Sequence, residues 1–382
     1  MFSKTLLASA AFVLAFHASA FAIDTKAKQA VLADFETGTV LFEKNADKPM
    51  APASMSKLMT AYIIFEKLKN GSLEIDDVFT VSENAWKKGG AKTGSSTMFL
   101  RVGDKVKLKD LLRGIIVQSG NDACIVAAEN IAGSEKEFAE IANKKAKEMG
   151  LKQTHLVNST GWPHPKHKMS PNDLVILARR LIQDFPEYYG IYSEKEFTYN
   201  KIRQENRNPL LFQMPGLADG IKTGHTSVSG YGLTASAKKD GRRLILVING
   251  LKTMKERGEE AEKLIYWGFR EFDNYTVLKD GVKVVDVPVW LGEQKTVEAV
   301  PAEKVVLTLP RGEQNKVTAF VKYDAPLKAP VAKGQKVGSI TISAPERDDV
   351  TVDLIAAADI KKLGYFGRMK ETVKYLLFKQ IN

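Results

Sequence analysis

The 382-residue chain is 44% apolar and 26% charged, which excludes disordered and collagen-like classes and at ordinary domain sizes makes about two to three domains. Its 56 Lys and Arg outnumber 45 Asp and Glu for a net charge of +11, which suits an anionic partner or surface without naming one. One cysteine, Cys124, excludes an intrachain disulfide and any thiolate cluster for zinc or iron.

Taken in chain order, Lys4 precedes an apolar run from Leu6 to Phe16, and small residues lead to Ala20-Phe21-Ala22. This is the layout of a cleavable export signal over residues 1–22, cut after Ala22. An uncleaved anchor would need roughly 20 apolar residues to span a bilayer, more than this run offers. Export argues against a nucleic-acid partner.

From Ile23 to about residue 275 the patterns of helix and strand are mixed. Val31 to Asp34 and Thr39 to Phe42 flank a Thr37-Gly38 turn, as in a hairpin. Residues 56–69 carry Leu58, Met59, Tyr62, Ile63, Ile64, Phe65 and Leu68 almost all round a helix, which predicts burial inside the domain. Further helices are expected over residues 108–117, 122–131, 135–149 and 171–183. Residues 231–237 and 242–248, joined by Asp240-Gly241, are expected as adjacent strands. Helices in the middle and strands at both ends predict one α/β domain, of the α+β kind, over residues 23–275.

Residues 280–358 change to short Val-rich alternations: Val285, Val287 and Val289; Val317 to Tyr323; Ile340 to Ile342; Val350 to Leu354. Pro301, Pro310 and Gly334 read as turns between them. A small all-β domain is expected, with no catalytic constellation. The tail, residues 361–382, aligns Phe366, Met369, Val373, Leu376 and Leu377 on one helical face among six cations with a single acid, Glu371. It suits the headgroup region of an anionic membrane, the alternative being a helix docked on the β domain.

Three short motifs carry the chemistry. Ser54-Met55-Ser56-Lys57 opens the buried helix and places Ser54 and Lys57 one turn apart, where an amine of lowered pKa can take the proton of a weak hydroxyl nucleophile. Ser119-Gly120-Asn121 stands at a break between two helices. Lys222-Thr223-Gly224 leads into the strand region, where Gly224 allows a substrate backbone close approach. Copies occur elsewhere, at Ser236-Ala237-Lys238-Lys239, Ser82-Glu83-Asn84 and Lys92-Thr93-Gly94, and context decides against them: Ser236 falls in a strand, Ser82 follows one, and Lys92 lies in a glycine-rich loop. His155, His164 and His167 crowd one segment with no thiolate near, and a metal site is not expected. Cys124, amid Ala123, Ile125 and Val126, reads as a buried small hydrophobe.

The ordered trio S-x-x-K, S-x-N and K-T-G resembles the penicillin-recognising serine acyl-transferases. With Lys222-Thr223-Gly224-His225-Thr226, the context Gln118 to Cys124 and the export signal, the chain is similar to the low-molecular-mass D-alanyl-D-alanine carboxypeptidases. That resemblance implies a transpeptidase-like domain with an inserted helical part, a β domain and a carboxy-terminal amphipathic membrane helix. It further implies periplasmic attachment to the inner membrane and hydrolysis of peptidoglycan stem peptides through an ester on Ser54, without metal or organic cofactor. Lys57 would accept the proton, Ser119 would relay it to the departing D-alanine, Asn121 would hold Lys57 and the substrate amide, and the backbone of Ser54 and His225 would bind the oxyanion. The substrate carboxylate would meet Lys222 with Thr223 and, less firmly placed, Arg257 and Arg207, either of which could instead be a solvated surface charge. A β-lactamase of class A needs a glutamate to activate water; none lies between Glu148 and Glu187, so β-lactams are expected to inhibit. Carboxypeptidase and endopeptidase action on the same fold are not separated by sequence, while the intact motifs argue against a silent wall-binding scaffold.

Overall fold

A computed structural model describes residues 23–345 and 347–378; the expected export signal and Lys379 of the tail lie outside the described residues. The first hairpin pairs Gln29–Asp34 antiparallel with Val40–Lys44, and Gly38 takes the positive φ of 74° that its turn requires. The chain then leaves the sheet and returns as Ala218–Thr226, Gly230–Lys239 and Arg242–Leu251. In space the order is Val40–Lys44, Gln29–Asp34, Arg242–Leu251, Gly230–Lys239, Ala218–Thr226, an antiparallel sheet of five strands. The helices between Lys44 and Ala218 are therefore an insertion between strands of one sheet. Asp240 and Gly241, at φ 50° and 84°, close the last hairpin in the left-handed conformation that a two-residue turn needs.

Successive side chains of a strand point to opposite faces, and here each face has its own core. Val31, Ala33, Ile245 and Val247 pack with the helices Lys57–Lys69, Leu108–Ile116, Asn121–Ala132 and Pro171–Asp184. Leu32, Leu244, Leu246 and Ile248 pack against Leu264, Ile265 and Trp267 of the helix Met254–Glu271. Within the first core, Lys57–Lys69 is buried without a break from Lys57 to Phe65, as its all-round apolar sequence predicts. It differs from expectation at its start: Ala53–Ser56 form a separate 3₁₀ turn, and the α-helix begins at Lys57. The tighter winding of that turn carries Ser54 into the helix entrance.

Phe272–Leu278 follows the long helix directly and pairs with Val305–Pro310. The other strands of this region form a six-stranded sheet around Val287, Val297, Ile340, Val352 and Leu354. The sequence periodicity passes over Thr296–Pro301 and Val305–Pro310, because each ends on a proline that reads as a turn, whereas a proline at a strand's last position interrupts nothing. A polar cluster joins the Phe272–Leu278 and Val305–Pro310 pair to the five-stranded sheet: buried Asp34 pairs with Arg242 at 2.8 Å, Asn274 donates to Asp34 at 3.2 Å, and the Thr37 and Thr308 hydroxyls meet at 2.6 Å. The tail is helical over Tyr365–Phe378. Its Tyr375 ring lies 6.0 Å from that of Trp290, yet Phe366 and Leu376 are 79% and 71% exposed. Among the described residues no helix is long and apolar enough to cross a membrane.

Candidate active site

The Ser54 turn is wedged between two glycines. A Cβ on Gly224 would fall 2.7 Å from the Pro52 carbonyl oxygen, and one on Gly161 would fall 2.0 Å from that of Ala53, so both must lack it. The close approach that the sequence assigns to substrate at Gly224 is thus also made by the protein's own nucleophile turn. Ala53 and Ser119 both adopt positive φ, 48° and 61°, left-handed conformations that non-glycine residues hold only where the surroundings enforce them. Each adjoins or carries one of the two hydroxyls.

Lys57 Nζ lies 2.9 Å from Ser54 Oγ, 2.7 Å from Asn121 Oδ1 and 2.5 Å from the Thr160 carbonyl oxygen. A neutral amine has two hydrogens and one lone pair. Donating the hydrogens to the two carbonyl acceptors turns the lone pair toward the serine hydroxyl. Burial holds the Lys57 pKa down at about 8, the Arg207 charge lowering it further against the opposing pull of Asp122 and Glu135. Thr160 takes part through its backbone, which no side-chain motif could have announced.

Asn121 is the first residue of its helix, and its Nδ2 donates to Ser95 Oγ at 3.1 Å. Next to it, the buried Asp122 carboxylate accepts from the Thr97 hydroxyl at 2.6 Å and the Met98 and Leu100 amides at 2.8 and 3.1 Å. This draws residues 95–100 over the Ser119-Gly120-Asn121 turn. Ser95 and Ser96, beside the Lys92-Thr93-Gly94 copy set aside in the sequence, therefore line the cleft while Lys92 itself lies over the Trp86 ring. The other copies are structural: Ser82 caps the helix Glu83–Gly89 and Ser236 is buried in mid-strand.

The opposite wall is the edge strand of the sheet. Lys222, Thr223, Gly224 and His225 lie within Ala218–Thr226 and not ahead of it, since Gly220 and Gly224 hide its alternation in the sequence. The resulting cleft, about 540 Å³, is lined by Ser54, Ser119, Asn121, Thr223, His225 and Arg257 among others, and no carboxylate faces it. The Lys222 ammonium is buried beneath, its Nζ 3.5 Å from the Thr223 carbonyl. Burial, followed by the charges of Lys57, Arg207 and Arg257, pushes its pKa well below the usual lysine range. Arg257 is buried too. Its Nη2 donates to the Arg207 carbonyl at 3.0 Å, its guanidinium carbon lies 5.8 Å from the Tyr231 ring centre, and its Nε has no partner among the described residues. Burial brings its pKa down to about 10. Arg207 is exposed and donates to Ser96 Oγ across the cleft. The His225 ring stacks on Tyr231 at 3.9 Å between centroids.

Behind the cleft, close enough to feel the charges of Lys57 and Lys222, Cys124 is fully buried and desolvation pushes its thiol up to about 12. His167 is buried with Nδ1 accepting from the Val157 amide at 3.2 Å, and burial takes its pKa down to about 4. Among the described residues no three potential metal ligands converge.

Comparison with known proteins supplies context for this geometry. Residues 15–253 match the family model described as D-alanyl-D-alanine carboxypeptidase, and residues 272–362 match that of the C-terminal domain of penicillin-binding protein 5. D-alanyl-D-alanine carboxypeptidase DacC of Escherichia coli (strain K12) is 40% identical over 379 residues, 97% of this chain and 95% of that protein. Penicillin-binding protein 5 from Haemophilus influenzae has a similar crystal structure, with TM-score 0.79 and 38% identity over 89% of this chain and 99% of that one. Penicillin-binding protein D2 from Listeria monocytogenes, solved in an ampicillin-bound form, gives TM-score 0.56 and 29% identity over 65% of this chain and 99% of that one.

Proposed function

The chain belongs to the D-alanyl-D-alanine carboxypeptidase family and is a serine hydrolase of that activity, and on that premise we propose that it shortens peptidoglycan stem pentapeptides through an ester on Ser54. The observation that carries this reading is the desolvated Lys57 amine 2.9 Å from Ser54 Oγ. Lys57 takes the hydroxyl proton as Oγ bonds to the carbonyl carbon of the penultimate D-alanine. The oxyanion that forms is held by the Ser54 and His225 amides, donors of a kind worth about 3 to 4 kcal/mol each. The carbon–nitrogen bond breaks as Ser119 passes the proton from Lys57 to the departing amine. Asn121 holds both the lysine and the substrate amide. Water then cleaves the ester, with Lys57 again accepting a proton.

The terminal carboxylate suits the cationic end of the cleft, where Thr223, Arg257 and Arg207 line the wall, Lys222 lies buried beneath, and Arg257 Nε has no partner among the described residues. Desolvated cations that depress one another's pKa gain from an anion between them. A β-lactam presents the same carboxylate and a strained amide, and with no carboxylate facing the cleft its ester on Ser54 persists. The exposed apolar side chains and surrounding cations of Tyr365–Phe378 suit a peripheral site on an anionic membrane, here the periplasmic face of the inner membrane, reached through the export signal of residues 1–22.

The test compares the wild-type protein with Ser54→Ala on a pentapeptide stem analogue, measuring free D-alanine, and follows the mass of each after addition of benzylpenicillin. Release and a lasting adduct are expected in wild type alone. Equal D-alanine release by both proteins contradicts the assignment.

A further inference from the structure

The cleft is lined mainly by small polar and cationic groups, and on its rim stands a large apolar side chain that the acyl-transfer chemistry does not use. Trp162 is 49% exposed and lines the same cleft as Ser54. Its backbone is held in place: Asn158 Oδ1 accepts from the amides of Thr160, Gly161 and Trp162 at 3.2, 2.8 and 3.2 Å, and Asn158 Nδ2 donates to the Trp162 carbonyl at 3.0 Å. On one side of this turn Thr160 offers its carbonyl to Lys57. At its middle Gly161, with φ 80°, presses against the Ala53 carbonyl with no room for a Cβ. The position of the Trp162 backbone is thereby locked to the nucleophile turn, residue by residue, as a recognition element must be. Met254, 62% exposed at the start of the helix Met254–Glu271, adds a second apolar side chain to the cleft.

We infer that Trp162 is a specificity-determining residue, whose indole forms an apolar wall for the side chain that precedes the D-alanyl-D-alanine pair. The inference rests on the reading of Ser54 as nucleophile. With the substrate carboxylate at the cationic end of the cleft, the remainder of the stem peptide leaves along the edge strand past His225. The side chain of the residue before the D-alanyl-D-alanine pair and the acyl side chain of a penicillin occupy equivalent places on the nitrogen of the reacting unit. An aromatic face selects such groups by contact area and ring packing, and leaves the reacting atoms untouched.

The experiment uses benzylpenicillin, which has a phenylacetyl side chain, and 6-aminopenicillanic acid, which has none. Second-order acylation constants are measured by mass for the full protein and for Trp162→Ala and Trp162→Phe. The ratio of the two constants is expected to fall about three- to tenfold in Trp162→Ala and to recover in Trp162→Phe, while acylation by 6-aminopenicillanic acid stays within twofold of wild type. Should the alanine variant lose that control reaction, the ratio is read in Trp162→Gln, which keeps volume at the rim. A ratio unchanged in the variant that retains the control reaction overturns the inference and leaves the role of Ser54 standing. No acylation of the wild type by either compound overturns the Ser54 reading, and the inference with it.

Discussion

Lys57 serves as a base only while its amine is uncharged, and its burial decides how often that is so. With a pKa of about 8, about a tenth of the enzyme has the neutral amine at pH 7, against under a thousandth for an ordinary lysine. The acylation constant with benzylpenicillin is therefore expected to rise nearly tenfold from pH 6 to 7, bend near 8 and level off above it. A profile flat from pH 6 to 9 would exclude Lys57 as the base. At this scale the sequence is informative where chemistry resides in side chains: the spacing of Ser54 and Lys57, and the triplets starting at Ser119 and Lys222, single out residues that the fold brings to one cleft. It is silent on the Thr160 carbonyl, because every residue has one, and on Ser96, whose only distinction is its place in a loop drawn in by Asp122.

The elements that carry these residues are held by absence as much as by contact. Gly161 occupies a left-handed conformation with the Ala53 oxygen where a Cβ would be. Gly161→Ala is expected to lower stability by about 2 kcal/mol and acylation more than tenfold, since the turn can relax only by pushing Ser54 away from Lys57. Thermal unfolding and acylation kinetics check the pair, and a fully active variant of wild-type stability would show that the turn is slack. The helix Met254–Glu271 escapes the sequence reading, its first turns being mostly charged, whereas the five expected helices were legible to within a residue or two: Glu135–Glu148 and Pro171–Asp184 each start with a side-chain cap, Ser134 and Ser170. Short strands ending on proline were not, nor was the Ala53–Ser56 turn, whose left-handed first residue is imposed by tertiary packing and leaves no mark in composition.

For the molecule as a whole, sequence pattern placed strands at both ends of the first domain without giving their order, which depends on long-range pairing between Gln29–Asp34 and Arg242–Leu251. The polar cluster of Asp34, Arg242, Asn274 and Thr308 then ties the β domain to that sheet, leaving the tail helix as the element with most of its apolar surface uncovered. Removing residues 363–382 is expected to abolish sedimentation with anionic vesicles and to leave D-alanine release from a soluble peptide within twofold. Persistent sedimentation of the truncated protein would place membrane contact elsewhere.

The burial of Cys124 has a practical consequence. The chain holds a single thiol, sealed in a helix core and with almost no thiolate at neutral pH, so thiol-directed alkylating reagents find no accessible sulfhydryl in the native state. Any cysteine introduced on the surface, at Phe366 of the tail for instance, becomes the sole addressable handle for a spectroscopic probe, with no background substitution needed first.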